Sequence, residues 1–199
     1  GPVLLDYSAK HPDVRLEVSV SNHFVDPVEE GFDLAIRASS HLRTNLTTRK
    51  LATARLLACA SPEYLKRNPP PETPENLPQH NLLAFSEAAP TSQQWRFERN
   101  GHNSTVQALG TLRTTSNDLL KQAALRGQGI TLQPSFNVYE ELRAGTLQQV
   151  LPNYDAGSLG IYLMYPQRRN LAIKVRSFID MLNGRWGTDP EADPFWPGS

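Results

Sequence analysis

Strand-like runs alternate with helix-start signals along most of this 199-residue chain. Apolar and polar side chains alternate over residues 14–20, a period that predicts a half-buried strand. Apolar runs at 82–85 and 161–165 predict two more strands, and Ser61-Pro62 supplies a capping hydroxyl and a first-turn proline for a helix. Strands that alternate with helices form a mostly parallel sheet covered by helices. The expected fold class is therefore α/β.

Local signals predict the remaining elements. The dipeptide Asn100-Gly101 suits the type I′ turn of a β-hairpin, so strands are expected on both sides of it. Apolar residues at the spacing i, i+3, i+4 and i+7 predict an amphipathic helix that contains Val175, Phe178, Ile179 and Leu182. Further helices are expected at 3–10, after Asp26-Pro27, from Leu119 to Gly127 or Gly129 and at 136–143, and further strands at 32–36, 55–60 and 130–133.

Proline divides the chain into two parts. Six of the 16 prolines lie between Pro62 and Pro78, and this density forces extended turns over the surface. We expect a boundary between two lobes near residue 60. The acidic residues and prolines of Asp189 to Pro194 are typical of a surface tail.

Charge and composition exclude several classes of protein. The 20 Lys and Arg residues balance the 20 Asp and Glu residues, whereas tight nucleic-acid binding needs clustered positive charge. No run approaches the roughly 18 apolar residues of a membrane span, and the first residues do not resemble an export signal. The single cysteine cannot form an internal disulfide. We expect a cytoplasmic protein without a membrane partner.

No catalytic or metal-binding set is visible in the sequence. The five histidines are scattered, and there is no phosphate-binding loop or nucleophile elbow. Cys59 lies within an apolar strand, where an inert buried thiol is expected. We therefore expect no cofactor, no metal and no enzymatic activity.

Polar side chains at predicted strand ends are the candidates for ligand binding. Open α/β sheets bind ligands at the carboxyl ends of their strands, where helix N-termini offer free amides to anions. By this rule the candidates are Ser21, Asn22, Arg37, Ser39, Thr115, Ser116 and Asn117. Helix capping also explains the polar side chains of Thr115, Ser116 and Asn117. The two roles are compatible, because a capping oxygen and a bound anion use different amides.

The order of several segments resembles the effector-binding domain of LysR-type transcriptional regulators. In the first half the resemblance rests on His11 to Glu17 and Phe24 to Arg37. In the second half it rests on Ala60 to Leu65, Trp95 to Phe97, Asn117 to Ile130, Leu142 to Leu147 and Lys174 to Asp180. Each segment alone is a weak signal, but their order and spacing over residues 3–182 make the match specific.

The resemblance implies two Rossmann-like lobes joined by two crossover strands, as in type 2 periplasmic binding proteins. Lobe I would comprise residues 1–60 and 162–187, lobe II residues 61–161, and the tail residues 188–199. A small-molecule effector, such as a metabolite or an organic or aromatic acid, would bind in the cleft between the lobes. Carried over by position, its contacts are Ser21, Asn22, Arg37, Ala38, Ser39, Phe85, Ser86, Thr115, Ser116, Asn117 and Gln133.

The function implied by the resemblance is effector sensing and dimerisation within a bacterial transcription regulator. The helix at 4–9 would pack against the helix at 119–126 of a second copy, giving a homodimer, and a tetramer in the full-length protein. DNA would be contacted only by a winged helix-turn-helix domain outside this sequence, and the strand that precedes the first helix in the family is also not in it. Two alternatives stay open: a solute-binding protein for transport, and a small α/β enzyme that uses Cys59 or a carboxylate pair.

Overall fold

A computed structural model describes residues 2–21, 29–40, 46–86, 93–166, 172–187 and 189–196. The chain forms two compact units. Unit 1 comprises Gly1–Thr53 and Gly160–Pro194, and unit 2 comprises Ala54–Leu159 and Phe195–Ser199. The lobe boundaries expected from the resemblance, at residues 60 and 162, stay predictions.

The elements follow one another in the order expected of an α/β chain. The helices are α1 (Pro2–Lys10), α2 (Pro62–Arg67), α3 (Asn117–Leu125), α4 (Ser135–Ala144) and α5 (Ile173–Trp186), with a 3-10 helix at Pro74–Gln79. The strands are β1 (Ala35–Ser39), β2 (Thr47–Ala60), β3 (Leu82–Phe85), β4 (Gln94–Arg99), β5 (His102–Gln107), β6 (Arg113–Thr114), β7 (Ile130–Pro134), β8 (Gln148–Gln149) and β9 (Ser158–Tyr165). The chain passes between the units within β2 and within β9.

Unit 1 packs α1 and α5 around one apolar cluster. Strand β1 pairs antiparallel with β9, and Ala35 lies opposite Met164. The Tyr7 side chain of α1 is buried in the cluster, and its hydroxyl donates a hydrogen bond of 2.8 Å to the carbonyl oxygen of Lys174. The predicted amphipathic helix is confirmed, because its four stripe residues, Val175, Phe178, Ile179 and Leu182, are all buried.

The prediction of a strand at residues 14–20 is wrong. Residues 15–20 have no regular secondary structure, and the side chains of Leu16, Val18 and Val20 are 37%, 55% and 92% exposed. A strand is stable only with a hydrogen-bonded neighbour, and no strand among the described residues pairs with this segment. The strand predicted at 32–36 lies at β1, three residues later, and the helix predicted after Asp26-Pro27 begins outside the described residues.

Unit 2 contains a mixed sheet in which three strands are parallel. Strand β3 lies between β6 and β7 and is parallel to both, whereas β2 is antiparallel to β7. The carboxyl ends of β3, β6 and β7 therefore meet at one edge of the sheet, which we call the carboxyl edge. Helix α3 begins shortly after β6 and α4 directly after β7, so the N-termini of both helices lie at this edge.

The hairpin predicted at Asn100-Gly101 is confirmed. Strands β4 and β5 are antiparallel, and both turn residues have positive φ angles, 53° at Asn100 and 79° at Gly101, as a type I′ turn requires. Trp95 and Phe97 of β4 are buried in the core of unit 2, so their shared face packs inward as the strand period predicts.

The segment 189–196 packs against the protein, unlike the surface tail expected from its composition. The backbone N–H of Thr53 in β2 donates to the carbonyl oxygen of Ala192 at 3.0 Å, and the Thr53 hydroxyl donates to that of Pro190 at 2.9 Å. Farther along, the ring of Phe195 lies 6.0 Å from that of Phe136 in α4. Backbone pairing and an aromatic contact thus anchor this segment at two places.

Within the described ranges, we find no helix of sufficient length and apolar character to span a bilayer.

Candidate functional site

The start of α3 lies at the carboxyl edge of unit 2. The Ser116 hydroxyl accepts a hydrogen bond of 3.2 Å from the backbone N–H of Leu119 and so caps the helix. The Thr114 hydroxyl accepts one of 3.1 Å from the N–H of Ser116 and holds the turn that precedes it. The predicted capping role of Ser116 is thereby confirmed. The remaining amides of a first helical turn have no acceptor within the helix and stay suited to an anion.

The end of β3 is fixed beside this turn. Phe85 is in register with Thr114 of β6, and the N–H of Ser86 donates to the carbonyl oxygen of Thr114 at 2.9 Å. Arg113 approaches the Ser86 hydroxyl at 3.5 Å. The structure therefore brings together the predicted residues of unit 2 at the ends of β3 and β6, namely Phe85, Ser86, Thr115, Ser116 and Asn117.

Gln133 belongs to a buried polar network at the same edge. Its Nε2 donates to the Thr131 hydroxyl at 2.9 Å, and its Oε1 accepts from Nδ2 of Asn137 at the same distance. Asn137 also donates to the carbonyl oxygen of Asn117 at 3.2 Å and so links the first turns of α4 and α3. Because both atoms of the Gln133 amide have protein partners, the residue can position α4 without touching a ligand. Its predicted ligand contact remains a prediction.

Two residues of this edge are absent from the sequence-based candidates. Asn137 bridges the two helices, and Ser135, the first residue of α4, is completely buried with a hydroxyl that has no hydrogen-bond partner. The sequence pattern predicted the start of this helix one residue later, at Phe136. No local pattern marks either residue, because a bridging role and an unpaired hydroxyl both depend on packing between elements distant in sequence.

Ser21 and Arg37 of unit 1 line one pocket of about 340 Å³. Leu34, Met164 and Phe178 contribute apolar walls to this pocket. Two residues predicted from strand ends are therefore brought together beside apolar surface, and Glu17 lines the same pocket. The neighbouring candidates Ala38 and Ser39 lie farther along β1, and Asn22 lies outside the described residues.

Cys59 is unsuited to nucleophilic chemistry in this structure. The side chain is completely buried in unit 2, and this burial raises the pKa of its thiol to about 12. The thiolate, which is the reactive form, is therefore scarce near neutral pH. In the described part of the chain, no three His, Cys, Asp or Glu side chains are grouped as metal ligands would be.

The chain is similar to known transcription regulators. A family model described as the LysR substrate binding domain matches residues 1–187. An uncharacterized HTH-type transcriptional regulator of Haemophilus influenzae is 33% identical over 88% of this chain and 60% of its own length. The HTH-type transcriptional regulator PtxR of Pseudomonas aeruginosa is 32% identical over 90% of this chain and 57% of its own. The chain thus spans about 60% of the length of these relatives.

Solved structures of LysR-type regulators are similar to this chain. Full-length AphB, a virulence activator of Vibrio cholerae, superposes with a TM-score of 0.80 and 30% identity over 92% of this chain and 62% of that one. The regulatory domain of CrgA from Neisseria meningitidis superposes with a TM-score of 0.81 and 24% identity over 94% of this chain and 91% of that one. At this identity the similarity concerns the fold alone. The fold is a type 2 periplasmic-binding-protein-like α/β domain. The chain belongs to the LysR substrate-binding domain family.

Proposed function

We propose that this chain is the effector-sensing portion of a bacterial transcription regulator, without enzymatic activity of its own. The proposed ligand site of unit 2 is its carboxyl edge, and that of unit 1 is the pocket lined by Ser21 and Arg37. The observation that carries the proposal is the grouping of Phe85, Ser86 and Ser116 at the carboxyl edge, next to the N-terminus of α3. Family membership supports the same function, since the relatives are described as transcriptional regulators.

Sensing requires that the effector prefer one state of the regulator over another. Only a difference in affinity between two conformations or oligomers can shift their populations.

DNA would be bound by a part of the protein outside this sequence, in the cytoplasm. The neutral net charge of this chain supports DNA binding by another part of the protein, because nucleic-acid binding needs an excess of positive charge. A transport role is less well supported, since the relatives described above are transcriptional regulators.

Loss of the α3 cap tests the proposed site. In a thermal-shift screen of the chain against metabolites and organic and aromatic acids, a ligand at about 100 times its dissociation constant adds roughly 2.7 kcal/mol of stability. We expect Ser116→Ala with Asn117→Ala to weaken the affinity for such a ligand about tenfold or more, because each substitution removes a hydrogen-bonding group worth about 1 kcal/mol, and about 1.4 kcal/mol corresponds to tenfold.

A matched control separates ligand binding from helix stability. Ser61 caps α2 by accepting from the N–H of Tyr64 at 3.3 Å, but it follows β2, which is antiparallel to β7. Ser61 therefore lies at the opposite edge of the sheet. Ser61→Ala should lower stability by about 1 kcal/mol, as cap removal does, and leave ligand affinity unchanged. Equal losses of affinity in both variants would contradict the proposed site.

We further propose that the chain forms a homodimer through α1 and α3, and a tetramer in the full-length protein. Leu5 of α1 and Leu119 of α3 are large apolar side chains that are 73% and 46% exposed, which supports a role for both helices in association. Light scattering at high micromolar concentration should report twice the 22.2 kDa chain mass. Leu5→Glu with Leu119→Glu should give the monomer, and a wild-type monomer would contradict the proposal.

A further inference from the structure

Residues 189–196, which we call the strap, belong partly to each unit. The last stretch of unit 1 ends at Pro194, and unit 2 resumes at Phe195. The described chain therefore passes between the units here as well as within β2 and β9, which are neighbours in the sheet. A pair of adjacent crossing strands permits hinge movement. A further connection that is fixed at both of its ends restricts such movement.

The unit 1 end of the strap is fixed to β2. The backbone N–H of Thr53 donates to the carbonyl oxygen of Ala192 at 3.0 Å, and the Thr53 hydroxyl donates to that of Pro190 at 2.9 Å. The Asp189 side chain accepts from the N–H of Glu191 at 2.9 Å and so holds the turn that begins the strap. Thr53 is also the residue at which β2 leaves unit 1. This end is therefore attached at a point of passage.

The other end of the strap is fixed to α4, which lies wholly in unit 2. The ring of Phe195 lies 6.0 Å from the rings of both Phe136 and Tyr139, and its contact with Phe136 is edge-on at 70°. Aromatic pairs at this separation attract each other in addition to burying apolar area. Trp196 packs against the apolar cluster that α3 and α4 share. Aromatic packing thus secures this end.

The free length between the two anchors is short. Only Asp193 and Pro194 separate Ala192 from Phe195, and an extended chain spans at most about 11 Å over these three residue steps. The proline ring fixes one φ angle, and the Asp193 side chain is buried, so the connection has little freedom to lengthen. A movement that carries Thr53 farther from α4 than this has to break one of the anchors.

We infer that the strap is a tether that limits the movement of unit 1 relative to unit 2. Loss of either anchor releases movement that the intact strap prevents. The inference goes beyond the proposed function and concerns the unliganded chain, so it needs no effector. For a sensor the consequence is direct, because an effector selects only among the states that the chain can reach, and the strap limits those states.

Lengthening the strap between its anchors tests the tether without removing either anchor. Six Gly and Ser residues inserted between Pro194 and Phe195 add about 13 Å of reach, more than the length of the free segment. The matched control is the same insertion directly after Gly187, which precedes the strap and leaves the spacing of the anchors unchanged. A purely stabilising segment would respond to the two insertions alike.

Double electron–electron resonance between spin labels measures the movement in the full chain. The labels are attached at Lys66→Cys in α2 of unit 2 and at Asp180→Cys in α5 of unit 1, both of which are exposed positions. Cys59 is completely buried with a raised thiol pKa, so the introduced thiols react selectively. Labelled chains are diluted with unlabelled wild type, which suppresses distances between copies.

We expect the insertion between Pro194 and Phe195 to widen the distance distribution at least about twofold, because it more than doubles the reach of the tether. The insertion after Gly187 should leave the width unchanged. A second variant, Phe195→Ala with Trp196→Ala, releases the unit 2 anchor without added residues and should also widen the distribution. Thermal melting of each variant verifies that it is folded.

Two results would overturn the inference. One is a distribution as narrow as that of the wild type in the folded strap-insertion variant or in the folded Phe195→Ala, Trp196→Ala variant. The other is equal widening by the two insertions, which would mean that the spacing of the anchors is irrelevant. The proposed function is judged separately, since the distances are measured without a ligand and the effector screen uses the unmodified chain.

Discussion

Gly129→Ala is expected to lower the free energy of unfolding of unit 2 by about 3 kcal/mol, the upper part of the range for overpacking. A Cβ atom at Gly129 would lie 2.2 Å from the carbonyl oxygen of Asn81. That oxygen accepts the hydrogen bond from the N–H of Ile130 at 3.0 Å, next to the pairing of Leu82 with Ile130. Neither backbone can move away without breaking the register between β3 and β7.

Urea denaturation followed by circular dichroism measures this loss, and Gly184→Ala is the matched control. Gly184 lies inside α5, and a Cβ atom there would have no neighbour within 4 Å. Because alanine favours a helix over glycine by roughly 0.8–1.0 kcal/mol, the control should raise stability. The same substitution is thus expected to have opposite signs at the two sites. A Gly129→Ala variant as stable as the wild type would show that β3 and β7 are not packed as described.

Ending the chain at Gly187 is expected to lower stability by about 3 kcal/mol. The truncated chain loses two hydrogen bonds made by Thr53, each worth about 1 kcal/mol. It also loses the packing of Phe195 on α4 and of Trp196 against the core of unit 2, which together add on the order of 1–2 kcal/mol. For a chain of this size the melting temperature should fall by roughly 6–12 °C.

Differential scanning calorimetry checks the truncation, and Glu191→Gln is its control. Glu191 pairs with Lys50 at 2.6 Å, but its side chain is 73% exposed. Exposed ion pairs contribute less than about 1 kcal/mol, so this control should melt close to the wild type. A truncated chain that also melts like the wild type would mean that residues 189–196 do not stabilise the fold.

Many of the helices and strands were predictable because their signals are local. The Asn100-Gly101 turn, the Ser61 and Ser116 caps and the apolar stripe of α5 each depend on neighbours within a few residues. Strand predictions were less accurate where strand formation depends on pairing with a distant segment. Residues 14–20 alternate as a strand does, yet they form none in the described structure, since strand formation depends on a partner far away in the sequence.

The candidate site was predictable in part. The rule that ligands bind at strand ends selects Arg37 and Ser116 from the sequence, and the resemblance to LysR-type regulators adds Phe85, Ser86 and Gln133. Whether these residues contact a ligand stays a prediction. The rule does not select Ser135, because nothing near it in the sequence shows that its hydroxyl is buried without a partner.

The α/β class, the helix caps, the hairpin and, through the order of the segments, the family all follow from the amino-acid sequence alone. The sequence alone does not show which strand ends meet, because only the folded chain brings them together. Strands β3, β6 and β7 come together at one edge although they lie far apart in the chain, and α3 and α4 begin there. Local conformation follows from dihedral preferences and nearby hydrogen bonds, whereas burial and strand pairing are set by contacts between distant residues, as the Ser135 hydroxyl and the Cys59 thiol illustrate.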